Sequence, residues 1–200
     1  MRTLGVLLFP EFELLDVFGP LEVFGNRVVK HEFRVCTIAE MAGPVASAQG
    51  PAAVADHALA AAPPLDILLV PGGMGTRREV DHPLVTRWIA ARAVDAELVL
   101  SVCTGAALLA RAGVLDGRRA TTNKLSFEWV VSQGPLVEWV HKARWVEDGK
   151  VFTSSGVSAG IDMSLAVVAK TVDPATASEL ARVMEYTRHT DSTDDPFARK

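Results

Sequence analysis

The chain has 200 residues, of which 20 are basic and 24 acidic, for a formal charge of −4, and the basic residues are scattered apart from short pairs such as Arg77-Arg78 and Arg118-Arg119. That balance offers no long-range attraction to phosphates, and no nucleic-acid partner is expected. A composition of 49% hydrophobic and 22% charged residues excludes a disordered or collagen-like chain, and no apolar run reaches the ~18 residues needed to cross a bilayer. The length suits one domain, predicted over residues 1–200.

In chain order, residues 4–9 form a continuous apolar run, read as a buried strand and not as a leader, since no small-residue cleavage site follows. Residues 66–70 and 97–102 repeat the pattern of strands covered on both faces. Helices are predicted at 20–29, with Pro20 at the first helical position, at 83–94 after Pro83, at 104–112 and at 125–131. The Gly-, Pro- and Ala-rich stretch 43–61 reads as a small hairpin appended to the main sheet. A second hairpin joins residues 143–147 to 150–154 through Asp148-Gly149, and helices at 159–171 and 174–186 close the pattern. Strands alternating with helices predict an α/β fold, a three-layer αβα sandwich around a mostly parallel sheet.

Cys103 stands at the junction of the 97–102 strand and the helix after it, with Thr104, Gly105 and Ala106 following, the pattern of a nucleophile elbow. A thiol facing a helix N-terminus and free backbone N–H groups is expected to have a lowered pKa. Pro71-Gly72-Gly73 follows another strand and emerges at the same sheet edge, which makes Gly72 and Gly73 candidates for binding substrate and a developing anion through main-chain N–H groups. Glu11, Glu13 and Asp16 follow the first strand. Of these, Asp16 lies between Leu15 and Val17, where burial would raise its pKa and let it exchange a proton with Cys103; the competing role is a helix cap. Asn123 can hydrogen-bond a substrate but cannot titrate, and it too competes with a capping role.

Trp129, Trp139, Trp145, Phe127 and Phe152 read as core or contact residues, and His82, His141 and His189 as surface. Cys36 and Cys103 lie on or beside buried parallel strands, where a disulfide fits poorly, so a reduced, cytoplasmic setting is expected. Neither the cysteines nor the histidines have the spacing of a metal site, and no metal is expected.

Several motifs carry a resemblance. Asp16 ahead of Gly19-Pro20-Leu21-Glu22, the Val70-to-Gly73 loop, Ser101-Val102-Cys103-Thr104-Gly105, Leu115 to Arg118 with Ala120-Thr121-Thr122, and Gly156 to Asp162 together resemble the ThiJ/PfpI superfamily, of class I glutamine amidotransferase-like type, over nearly the whole chain. The resemblance implies a single-domain, flavodoxin-like sheet, a homodimer, a small-molecule substrate and no cofactor. The Cys-Thr pair with an aspartate resembles the isonitrile hydratase branch most, which implies Cys103 as nucleophile, Asp16 as acid and base, and Thr104 as a supporting hydroxyl. Peptidase members carry histidine where Thr104 stands, and many relatives carry one near Asn123, so peptide hydrolysis is not expected. Relatives that are regulators add a helix-turn-helix module, and none is expected within these 200 residues. The expected activity is hydration of an isonitrile-like molecule to an N-substituted formamide. The alternatives are glyoxalase-like conversion of methylglyoxal and a non-enzymatic cysteine redox sensor.

Overall fold

The computed structural model describes residues 1–198. The elements are β1 (Arg2–Leu7), α1 (Leu14–Phe24), β2 (Phe33–Ala39), β3 (Gly43–Ala46), β4 (Ala52–Ala55), β5 (His57–Ala58), β6 (Ile67–Val70), α2 (Thr76–Glu79) and α3 (Pro83–Asp95). They continue with β7 (Leu98–Ser101), α4 (Gly105–Arg111), β8 (Arg119–Ala120), α5 (Phe127–Gln133), β9 (Glu138–Trp139), β10 (Trp145–Asp148), β11 (Val151–Ser154), α6 (Ala159–Thr171) and α7 (Pro174–Val183).

Seven strands form one sheet in the order β10-β11-β7-β6-β1-β2-β5, parallel throughout except for the β10–β11 pair. Helices cover it in two groups: α1 packs on α6 and α6 on α7, while α2, α3 and α5 pack on α4. The central strands β6 and β7 are buried along their whole length, as strands covered on both faces must be. Each fully buried Leu, Ile or Val there contributes about 1.5–3 kcal/mol. The predicted α/β sandwich with a mostly parallel sheet is therefore observed.

Three details differ from the sequence reading. Pro20 does not open α1 but lies inside it, because Asp16, Val17, Gly19, Val23 and Phe24 share its buried face and their packing outweighs the proline's missing N–H. That shift brings Asp16 from a connecting loop into the first turn of the helix. The hairpin in the 43–61 stretch is a separate β3–β4 sheet, and only β5 joins the main sheet, beside Ile38 and Ala39. The two-residue β8–β9 ladder had no apolar pattern to announce it. The second hairpin is as predicted, with Gly149 at φ +63 supplying its turn. Both cysteines are free and buried. Among the described residues no helix is long and apolar enough to cross a membrane.

Candidate active site

The carboxyl ends of β6 and β7 and the start of α1 meet at one edge of the sheet. Cys103 follows β7 with φ +56, a left-handed conformation that costs a non-glycine residue of order 1–3 kcal/mol. Neighbouring groups hold it there: its N–H donates to the Ser155 carbonyl at 3.1 Å, and its carbonyl accepts from Thr122 Oγ1 at 2.8 Å. The turn also requires Gly105, where a Cβ would lie 2.2 Å from the Val70 carbonyl oxygen and 2.7 Å from that of Pro71. Gly105→Ala is expected to destabilise the fold by roughly 3 kcal/mol through this overlap. A urea midpoint unchanged from wild type would contradict so tight an elbow.

Asp16 is fully buried behind the cysteine. Its Oδ2 accepts the Gly72 N–H at 2.8 Å, while Oδ1 is buried with no hydrogen bond of regular geometry. Burial pushes this carboxyl up to about 7; the Gly72 N–H pulls it back, the Glu13 charge raises it further, and hydrogen bonding with the Cys103 thiol lowers it slightly. No capping hydrogen bond comes from its side chain, and the residue at the cap position of α1 is Glu13.

Gly72 has no room for a side chain, since a Cβ would meet Thr104 N at 2.6 Å and Asp16 Oδ2 at 2.8 Å. The Gly73 N–H, expected to face a developing anion, instead donates to Thr104 Oγ1 at 3.1 Å. Thr76 Oγ1 lies 3.1 Å from the same hydroxyl and donates to the Gly73 carbonyl at 2.7 Å. Thr104 thus braces the glycine loop against the elbow.

The expectation of a lowered thiol pKa is overturned. Desolvation, reinforced by the neighbouring Asp16 charge, drives Cys103 upward, and hydrogen bonding from the backbone of Thr104 and Val157 offsets only part of it. Sequence reasoning saw the helix N-terminus but could not weigh complete burial against it. It also missed Val157, a β-branched residue held at φ +47 beside the sulfur. A left-handed valine leaves no local sequence signal.

The cleft at Cys103 encloses ≈ 260 Å³ and is lined by Thr104, Gly73, Asn123 and Val157 together with Glu13, Met74 and Arg77. Asn123 keeps its turn role, accepting the Ser126 N–H at 2.9 Å, and lines the cleft as well. Arg77 is steadied by Ser126 Oγ at 3.1 Å and by the Trp129 ring, 4.6 Å from its guanidinium carbon. None of the five aromatic residues singled out in the sequence lines this cleft; Trp145 and Phe152 are core. No histidine lines it either, and His82, His141 and His189 are half-buried elsewhere.

The sequence profile of the DJ-1/PfpI family matches residues 2–170. The chain belongs to the DJ-1/PfpI family. It is 33% identical over 183 residues to isonitrile hydratase of Pseudomonas putida, covering 92% of this chain and 78% of that protein. It is 28% identical over 177 residues to the HTH-type transcriptional regulator CdhR of Pseudomonas aeruginosa, covering 88% of this chain and 52%, about half, of the regulator. Among solved structures, a ThiJ/PfpI family protein from Pseudomonas syringae superposes with a TM-score of 0.85 at 29% identity, covering 98% of this chain and 77% of that one.

A second buried cluster of this DJ-1/PfpI chain involves the segment that follows Val157. Arg144 Nε and Nη2 both reach Asp162 Oδ2, at 3.0 and 2.8 Å, and Asp162 Oδ1 accepts the His189 N–H at 2.9 Å. Asp162 belongs to the same 156–162 motif as Val157, so the pair ties the start of α6 to β10. Asp162→Ala would leave the buried Arg144 guanidinium with only the more distant Asp195 carboxylate, 3.6 Å from Nη1, and is expected to lower stability by roughly 3 kcal/mol. A loss under about 1 kcal/mol in guanidinium unfolding would mean that water already reaches the pair.

Proposed function

We propose that the protein hydrates an isonitrile-like small molecule to the corresponding N-substituted formamide, with Cys103 as nucleophile and Asp16 as proton carrier. The observation that carries this reading is the buried Cys103 thiol set against a carboxyl near neutrality, in a cleft without histidine. The likeness to the protein named isonitrile hydratase supports it.

An isonitrile carbon accepts both a proton and a nucleophile, so it suits a pair of groups that are largely neutral at rest. Sulfur bonds to the terminal carbon, that carbon takes a proton from Asp16, and the thiol proton replaces the one Asp16 gave. The product is a thioimidate, R–N=CH–S–Cys103. Water then adds to the same carbon as nitrogen takes a proton. The C–S bond breaks, sulfur recovers a proton and R–NH–CHO departs. The sum is RNC plus water to formamide, with no oxidant or reductant. Hydrogen bonds from Thr104 and Val157 N–H groups stabilise negative charge on the sulfur during these steps. The Asn123 amide, on the wall of the cleft, is proposed to hydrogen-bond the substrate nitrogen, while the Gly72 and Gly73 N–H groups hold Asp16 and Thr104 in register.

Two copies are proposed to pair, and Leu15 and Phe18 on α1, 40% and 47% exposed, supply apolar surface for it. Conversion of methylglyoxal is disfavoured by the lack of a histidine in the cleft. Incubation with a simple alkyl isonitrile, followed by loss of its infrared stretch and by mass detection of the formamide, tests the activity. No formamide from the wild type would sink the reading.

A further inference from the structure

The Cys103 cleft adjoins a second hollow of ≈ 350 Å³, and Asn123, Leu125 and Val157 line both. Phe197 forms part of the wall of that hollow. Its position is built, not incidental. Asp195, only 2% exposed, donates its N–H to the Lys142 carbonyl at 2.8 Å and accepts the Phe197 N–H on Oδ1 at 3.0 Å. The same carboxylate lies 3.6 Å from Arg144 Nη1 and 3.8 Å from Lys124 Nζ. Lys124 sits between Asn123 and Leu125, so one buried carboxylate fastens the C-terminal segment to the loop shared by the two spaces.

Lys124 itself leaves no charge facing the hollow. Its ammonium turns inward to donate to Thr121 Oγ1 at 2.8 Å and to the Ala143 carbonyl at 2.7 Å, so its aliphatic stem is the part left to the lining. Leu125 and Phe197, by contrast, are 84% and 67% exposed, two large apolar side chains presented to solvent beside a nucleophile.

We infer that this hollow receives the apolar substituent of the molecule whose reacting carbon sits on Cys103, with Leu125 and Phe197 setting the preference among substituents and Asp195 acting as the positioning residue for Phe197. The inference rests on the proposed function and narrows its substrate class to molecules with a neutral alkyl or aryl group. A charged substituent would find no partner there, and a methyl group would leave most of the space empty.

The test uses sulfur reactivity instead of turnover. Methyl and benzyl methanethiosulfonate each convert a thiol to a mixed disulfide with release of methanesulfinate, and mass spectrometry assigns the label to Cys103 or Cys36. Relative to the same pair reacting with a free thiol, wild-type Cys103 is expected to favour the benzyl reagent. Phe197→Ala and Leu125→Ala should each cut that preference, read as the ratio of benzyl to methyl rates, about tenfold. Phe197→Leu should retain most of it, and Asp195→Asn should lower it as Phe197→Ala does. This pattern, obtained even if no isonitrile yields formamide, supports the pocket and removes only the hydration reading. An unchanged preference in both alanine variants, or failure of either reagent to label Cys103, overturns the inference even where hydration is observed.

Discussion

Replacing Cys103 with alanine is expected to lower formamide formation by roughly 10⁴–10⁶-fold, the loss typical of removing a covalent nucleophile. The magnitude follows because the hydroxyls lining the cleft are already engaged. The Thr104 hydroxyl is already engaged with Gly73 and Thr76, and the Ser126 hydroxyl accepts from Arg77. Alanine inherits the φ of +56, so the elbow keeps its strain and the fold its stability to within about 1 kcal/mol. Initial rates on a variant shown by thermal unfolding to be folded settle the matter. Activity within tenfold of wild type would dismiss Cys103 as nucleophile.

Asp16→Asn is expected to lower the rate by about 10²–10⁴-fold and to erase a specific pH dependence. The carboxyl, held at about 7 in the folded protein against 3.8 for the ordinary group, keeps its proton through an interval where the unfolded chain has lost it. Folding therefore binds a proton across that interval. Its contribution to stability is fully present below about pH 4, declines as pH rises, and is gone above about pH 7. Roughly three pH units correspond to a contribution on the order of 4 kcal/mol. An asparagine at the same place can still accept the Gly72 N–H but does not titrate, so the variant should gain on wild type as pH rises from 4 to 8. In wild type the rate should change around pH 7 as Asp16 titrates, and in the variant that feature should vanish. Denaturation midpoints and pH–rate profiles, measured side by side, check both halves. Parallel stability curves for the two proteins would show that Asp16 does not carry the titration.

How legible was this site in the sequence? Cys103 was, because a cysteine after an apolar strand and before Thr104-Gly105-Ala106 has the pattern of an elbow, and a Cβ at Gly105 would lie 2.2 Å from the Val70 carbonyl oxygen, the reason a small residue is required there. Asp16 was recognised by its apolar neighbours, although the helix around it was misplaced: Pro20 looked like a beginning and is an interior residue. Gly73 was placed at the correct edge but its N–H serves Thr104, a pairing between residues 31 positions apart that no local pattern encodes. Val157 was visible only as part of the 156–162 motif and Asp195 not at all, since each acts through a backbone conformation or a buried contact that exists only once distant segments have met.

The sequence by itself determined the alternation of buried strands and helices, hence the parallel sheet, and it determined which residues gather at the sheet's carboxyl edge. Those are consequences of periodicity and of turn chemistry, both local. The protonation states belong to the tertiary structure alone. Burial of Cys103 and Asp16 comes from side chains contributed by every part of the chain, and in a low-dielectric interior that desolvation outranks the helix N-terminus and the backbone donors that favour a thiolate. For that reason the candidate cysteine could be picked out from its neighbours in the sequence, while the protonation states of Cys103 and Asp16 on which the proposed chemistry rests took the whole fold to decide.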